Sequence, residues 1–448
     1  MNTASKIRKP QTNNFTSILD QILKKYNLST ESNPSQLHVY ASELGAMLPD
    51  WKAQCGSRDI KYKFCISCEK QYFIRQFGQW TSNNVEIDRF IKYTQTKAMA
   101  QVEFFEWIEW SELDLIEYED TGLYSTIYSA YWIDGPILLW EKTMDCYIRN
   151  GPIKVAIKRF NNSQNISEEF INRLYKLHSC VRSNYIIDCF GLTRDNTSCF
   201  CLVMKYYENG NLYQFLDKSK GVLCWRDIVE ILWSISNGLD HIHRQKLFHA
   251  NLHGGNILVD NENDFIYTCI SDVGLNIPGG RVEGEETFSS DENNIYGVLP
   301  YIAPEVLLGR CYTYKSDIYS FGLLMWTLAA GTRPFYNVAH NEVLAQKIID
   351  GERPKISKDA PKSYNDLMEQ CWNHDPTKRP TASKLYETIG SWFTKICNDP
   401  TPTEISVEFD QAEEIKFLKL EKYTFQKRRI HKEAIYTSRL LNFPALRQ

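Results

Sequence analysis

Val155-Ala156-Ile157-Lys158 sets a lysine at the end of an apolar, largely β-branched run. In a strand, alternate side chains share a face, so Lys158 points the same way as Ala156, toward whatever cleft that face borders. An ammonium held there is a compact point charge suited to nucleotide phosphates. Five further segments follow in fixed order: His249-Ala250-Asn251-Leu252-His253-Gly254-Gly255-Asn256-Ile257-Leu258-Val259, Ser271-Asp272-Val273-Gly274, Ala303-Pro304-Glu305, Asp317-Ile318-Tyr319-Ser320-Phe321-Gly322, and Cys371-Trp372-Asn373-His374-Asp375-Pro376-Thr377-Lys378-Arg379-Pro380. Any one is unremarkable; the ordered set is not a chance arrangement. Separately, Cys65-x-x-Cys68, with Cys55 upstream, has a spacing at which two thiolates can share a tetrahedral zinc ion. A structural site needs four ligands, no second C-x-x-C follows, and His38 is the only nearby histidine before it. We therefore read Cys65 and Cys68 as buried thiols rather than zinc ligands.

The elements that must carry these groups are legible from periodicity. From residue 113 onward the segments LIEY, STIYSAYWI, ILLW and KVAIKRF alternate like strands between polar or glycine turns. A helix is predicted over 167–177, then two apolar strands over 185–190 and 200–206. After Leu212 the pattern is mainly helical up to Trp392, including an apolar stripe of Ile228, Ile231, Leu232, Ile235, Leu239 and Ile242. Strands first and helices afterwards predict a two-lobed α+β domain over residues 112–392, with a cleft where the two classes meet. We divide that domain into a first lobe over about 112–206 and a second over about 207–392. Ahead of it lies an extension, residues 1–110, polar at first with a short helical pattern over 15–26. It ends in an aromatic-rich stretch (Phe73, Phe77, Trp80, Phe90, Tyr93) that predicts one or two linking helices. Residues 393–448 form a charged tail, helical around 410–420.

Composition bounds the function class. The chain has 448 residues, 43% hydrophobic and 24% charged, enough for a large core and ordinary for a folded protein. A net charge of −4 argues against a global attraction to nucleic acid or anionic membrane. The most apolar stretch, residues 322–331, is too short to cross a bilayer and reads as a buried helix. Thirteen cysteines without a regular framework, and a polar Met1-to-Asn14 start lacking an apolar leader core, point to a reducing, cytoplasmic setting.

The ordered motifs resemble those of protein kinases, most closely the tyrosine-kinase-like group expanded in fungi, with typical phrasing in GVLPYIAPEVL over 297–307. The resemblance covers about residues 112–392. It implies a small lobe with an antiparallel sheet and a regulatory helix, a mainly helical second lobe, and ATP with Mg²⁺ between them. It also implies protein substrates or partners and a role in signalling. By that resemblance, Lys158 pairs the phosphates, Asn256 and Asp272 hold magnesium, and Gly122 belongs to the phosphate-covering loop. Ile127, Ala156 and Leu258 sandwich adenine, Met204 is the gatekeeper, and Tyr206 lies in the hinge, 205–207. Glu305 and Arg379 tie the activation segment to the second lobe, and Asp317 holds the catalytic-loop backbone. Related fungal kinases also carry a cysteine-rich segment followed by a W-T-S-x-N stretch similar to Trp80-Thr81-Ser82-Asn83-Asn84.

Five positions depart from the family pattern. Asn251 stands where an aspartate accepts the proton of the substrate hydroxyl; an amide keeps the shape and loses the basic carboxylate. Ala250 replaces the arginine that clamps a phosphorylated loop, so Thr287, Ser289, Ser290 and Tyr296 lack that partner. Arg173 aligns where a glutamate pairs with the lysine, with Glu169 one turn earlier as a substitute if the helix shifts. Asp120 and Ser125 replace two of the three loop glycines, and the Asp120 carboxylate is set to repel phosphate. His253 is the histidine many relatives carry rather than a replacement base. An intact frame with eroded chemistry predicts a pseudokinase that still binds ATP and Mg²⁺; the alternatives are a slow serine/threonine-type kinase and a nucleotide-free scaffold.

Overall fold

The alternating segments after residue 113 assemble into a sheet whose two faces do different work. A computed structural model of the chain describes residues 66–98, 103–141, 146–181, 183–262, 265–275, 295–397, 401–422 and 429–443. The helical pattern at 15–26, the thiols Cys55 and Cys65, and the loop hydroxyls Thr287, Ser289 and Ser290 lie outside the described residues. The strands are β1 (Glu106–Trp107), β2 (Leu113–Thr121), β3 (Ser125–Trp132), β4 (Ile137–Glu141), β5 (Cys146–Arg149), β6 (Ile153–Phe160), β7 (Cys189–Arg194) and β8 (Phe200–Lys205). Six of them form one sheet in the order β1-β7-β8-β6-β3-β2, while β4 and β5 make a separate hairpin. On β6, Val155 and Ile157 are fully buried against Ala130, Trp132, Cys201 and Val203 on one face. Ala156 and Lys158 therefore lie on the other, as the alternation requires.

The predicted strand at 185–190 starts only at Cys189. Residues 185–187 pair instead with the second lobe: Ile187 N–H donates to Ile270 O at 3.1 Å, and Ile270 N–H to Tyr185 O at 2.9 Å. This backbone stitch between lobes outcompetes the sheet. The sheet is also not wholly antiparallel, because β1 adds to β7 in parallel, Glu106 opposite Gly191. A Cβ at Gly191 would sit 2.1 Å from Glu106 O, so that contact requires glycine.

Two helices precede the sheet, α1 (Ile66–Gln76), which carries Cys68, and α2 (Val85–Lys97). The Trp80–Asn84 stretch is the N-terminal cap of α2. Asn84 Oδ1 accepts from the Glu86 and Ile87 amides at 3.0 and 3.2 Å, and Asp88 accepts from Thr81 Oγ1 and Ser82 N at 2.7 and 2.8 Å. The buried Phe90 then meets Tyr175 edge-to-face at 5.1 Å on α3 (Glu168–Cys180), the helix predicted over 167–177.

The second lobe begins with α4 (Leu212–Lys218) and α5 (Trp225–Arg244), whose predicted stripe is at most 1% exposed at every position. A hairpin, β9 (Ile257–Glu262) and β10 (Phe265–Ile270), follows, then β11 (Ile295–Gly297), α6 (Pro304–Leu307) and α7 (Tyr314–Ala330). The apolar stretch at 322–331 forms the end of α7, buried on nearly every side. Among the described residues, no helix is long and apolar enough to cross a membrane. Next come α8 (Glu342–Ile349), α9 (Lys362–Cys371) and α10 (Ala382–Cys397). The tail supplies α11 (Glu404–Lys422) and β12 (Arg439–Leu441), and both dock on this lobe: Phe409, Ala412, Leu441 and Phe443 are buried in its core.

One ion pair fastens the segment after β11 to the helices. The Arg379 guanidinium, wholly buried, donates from both ends to Glu305, at 2.6 and 2.8 Å, and also to Lys315 O and Asn373 O. Removing one member of such a pair strands a charge without water or partner. Arg379→Met should cost about 3–5 kcal/mol, read as a lower urea midpoint at unchanged slope; a loss below about 1 kcal/mol would contradict this account.

Candidate functional site

The site sits where the second face of the sheet meets the β9–β10 hairpin. Antiparallel register places Ile127 opposite Lys158, and Ala156 opposite Met204, so these four share one face. Met204 is buried, and Ala156 and Leu258 pack against the same apolar cluster, which brings two of the three proposed adenine contacts to the proposed gatekeeper across the lobes. Tyr206 follows β8 directly. Its hydroxyl donates to Glu119 at 3.3 Å and the Lys154 ammonium sits 3.9 Å from its ring centre, tying this segment to β2 and β6.

Lys158 donates to Asp272 Oδ1 at 2.5 Å. Burial alone would raise the Asp272 pKa, but the Lys158 ammonium outweighs it and holds the carboxyl below its ordinary range. Arg173, aligned at the family's glutamate, turns back to Glu169 on its own helix, an i,i+4 pair. Glu169 is thus taken by Arg173 rather than reaching Lys158, and Lys158 finds its counter-charge on Asp272. The helix nonetheless packs closely on this loop: a Cβ at Gly274 would lie 2.8 Å from Lys176 Cβ.

The loop between β2 and β3 is a simple hairpin, with Gly122 N–H donating to Ser125 O at 2.8 Å. Gly122 has an ordinary φ and room for a Cβ, with its nearest neighbour at 3.6 Å, so nothing in this conformation demands glycine. The exposed Asp120 carboxylate accepts from Thr121 N at 2.8 Å. Tyr124, at the hairpin tip, rests its ring against Tyr296 of β11, 5.3 Å between centres. Burial, aided by the nearby Asp272 charge, pushes the Tyr296 phenol up to about 12.

The loop before β9 is held from below. Asp317, 1% exposed, accepts from His249 N at 2.8 Å, Ala250 N at 2.9 Å and His243 Nε2 at 3.0 Å. Ala250 sits in the left-handed region, φ 61°, where those bonds fix it. Asn251 N–H donates to His249 Nδ1 at 3.2 Å, so that imidazole carries its proton on Nε2 and donates to Ser271 O at 2.8 Å. Asn256 Nδ2 donates to Asn251 O at 3.0 Å. Among the described residues, Asn256 Oδ1 and Asp272 Oδ2 accept no hydrogen bond, and two hard oxygen donors of this kind suit Mg²⁺. Bound Mg²⁺–ATP would supply a transferable phosphoryl group whose charge Lys158 and the metal neutralise.

The Asn251 side chain reaches a residue that sequence reasoning passed over. Its Nδ2 donates to Ser438 Oγ at 2.9 Å, and Ser438 Oγ donates to Asn251 Oδ1 at 3.1 Å. His253 Nε2 reaches the same hydroxyl at 2.8 Å; with Gly255 N–H donating to its Nδ1 at 3.0 Å, the Nε2 proton is the one donated. Burial pushes the His253 pKa down to about 3, so this ring is a neutral donor. The signal was there: Ile435, Tyr436, Leu440, Leu441 and Phe443 interrupt an otherwise charged tail.

Among the described residues, no cluster of three or more histidine, cysteine, aspartate or glutamate side chains could hold a metal ion.

A domain of a strand-rich lobe and a helical lobe, with a lysine–aspartate pair between them, defines the protein-kinase class. Residues 120–389 match the family model for protein tyrosine and serine/threonine kinases, and the chain belongs to that family. It is 26% identical over 231 residues to the serine/threonine-protein kinase STY17 of Arabidopsis thaliana, covering 52% of this chain and 38% of that protein. It is 28% identical over 293 residues to the probable serine/threonine-protein kinase roco5 of Dictyostelium discoideum, covering 63% and 10%. It is also 28% identical over 294 residues to the dual specificity protein kinase pyk3 of the same organism, covering 64% and 19%. The chain thus spans well under half the length of these relatives.

Burial lowers the pKa values of His241, His249, His253 and His340 together. An unfolded histidine takes up its proton near pH 6.5 while these rings do not, so their stabilisation is complete above that pH and is lost as pH falls below it. Each contributes a slope of up to ~1.4 kcal/mol per pH unit. The melting temperature should fall between pH 7 and pH 5, and more shallowly in His253→Gln; an unchanged slope in that variant would contradict a neutral, buried His253.

Proposed function

We propose that this chain is a cytoplasmic pseudokinase that binds ATP with Mg²⁺ and acts on protein partners as a binding or allosteric module in signalling. The observation that carries this reading is the amide at Asn251: it hydrogen-bonds a hydroxyl but has no carboxylate to take its proton. A positioned base contributes roughly 10²- to 10⁴-fold in rate, so transfer is severely slowed. Lys158, Asp272 and Asn256 stay grouped in the cleft, which supports nucleotide affinity. Arg173 in place of the helix glutamate, and Ala250 in place of the loop arginine, support loss of the usual activation. A slow serine/threonine-type kinase is the second reading, favoured by the geometry at Ser438: orienting an acceptor hydroxyl survives the loss of the base.

Millimolar ATP with Mg²⁺ should raise the melting temperature, with stabilisation of about 2.7 kcal/mol at 100 times Kd, and Asp272→Asn should abolish the shift. No shift in the wild-type chain would instead indicate a nucleotide-free scaffold. In a radiolabelled transfer assay with a generic protein acceptor we expect no robust turnover. Strong Asp272-dependent transfer would overturn the pseudokinase reading, and a sharp rise in Asn251→Asp would support the slow-kinase one.

A further inference from the structure

The tail does more than cover the second lobe. β12 pairs antiparallel with β11, Ile295 opposite Leu441, Tyr296 opposite Leu440 and Gly297 opposite Arg439. That strand addition delivers Ser438 to two side chains of the loop before β9, Asn251 and His253. Its hydroxyl makes three contacts of 2.8–3.1 Å there. Anchors hold both sides of the serine. Tyr436, two residues before it, donates to Pro334 O at 2.7 Å and packs edge-on against Tyr213 and His340. Leu441 and Phe443, three and five residues after it, are buried in the core. Arg439 donates to His340 O at 2.6 Å.

We propose that residues 429–443 are a substrate mimic bound in cis. The surface formed by β11, Asn251, His253 and Tyr213 is a receptor for an extended peptide of the pattern Tyr-x-Ser-x-x-Leu-x-Phe. The serine fills the acceptor-hydroxyl place, and the backbone pairing gives affinity while the alternate side chains give specificity. A protein partner presenting the same pattern competes with the tail for this surface. The assignment of an acceptor place at Asn251 rests on the kinase-like reading above. The peptide contact itself requires no nucleotide.

A fluorescein-labelled synthetic peptide spanning residues 432–443 tests this by fluorescence anisotropy, without ATP, against the full chain. The wild-type site is already filled and should bind it weakly. The full-length double variant Tyr436→Ala/Leu441→Asp should release the tail and bind the peptide at least tenfold more tightly, and a peptide carrying Ser438→Glu should fail to compete. A cooperatively unfolding double variant that gains no affinity would overturn the proposal. Hydrogen exchange on the full-length Ser438→Glu variant supplies an independent reading. Amides 295–297 and 439–441 should lose protection together by at least tenfold, and unchanged protection would overturn the proposal even if the double variant does not fold. An absent thermal shift with ATP would remove the nucleotide reading and leave both measurements interpretable.

Discussion

The Asp317 carboxylate is the constraint on which the site depends. Taken out of water at the start of α7, it must be satisfied by protein donors, and it collects two consecutive amides and an imidazole. Two amides aimed at one carboxylate force the left-handed turn at Ala250. That turn sets the direction of Asn251, fixes the tautomer of His249 through the Asn251 amide, and so connects this loop to Ser271, the residue before Asp272. A helix in the core of one lobe thereby sets the geometry of groups facing the other. The Glu305–Arg379 pair, which also reaches Lys315 O at the start of the same helix, holds the chain that follows β11.

Charge in the cleft has been rearranged rather than deleted. Arg173 would leave two cations facing each other if nothing else changed. Instead each finds its own carboxylate, Arg173 within α3 and Lys158 on Asp272. The first pair costs little because Glu169 is exposed and one turn away. The second brings Lys158 and Asp272 into direct contact with no help from the helix. Among the described residues, no ion pair joins α3 to Lys158.

Much of this was legible in the sequence because it rests on short-range rules. Strict alternation in Val155–Lys158 put Lys158 on the cleft face, and the Ile228–Ile242 stripe announced the buried face of α5. The all-round apolar character of residues 322–331 marked a buried helix. What escaped was set by long-range competition. Residues 185–187 look like a strand start, yet their amides and carbonyls are claimed by Ile270 in the other lobe. The parallel addition of β1 depends on a single glycine, Gly191, which periodicity does not flag. Ser438 is invisible to local reasoning because its partners lie 185 and 187 positions away in the chain.

The contact between α2 and α3 gives the domain a mechanical property that the cleft residues do not reveal. Tyr175 is gripped edge-to-face by Phe90 and Tyr93, and His178 bonds to Glu103 O across the same seam. Aromatic pairs of this kind are worth about 0.5–1.5 kcal/mol each beyond the area they bury. Sliding α3 alone would sacrifice both, roughly 1–3 kcal/mol, which confines the shifted arrangement to a minority of molecules, between about one in six and one in a hundred and fifty. Moving α2 and α3 as one body avoids that penalty. The segment ahead of the domain is thus geared to α3, so a pull on residues 85–97 is transmitted to the helix as displacement instead of being lost as slack.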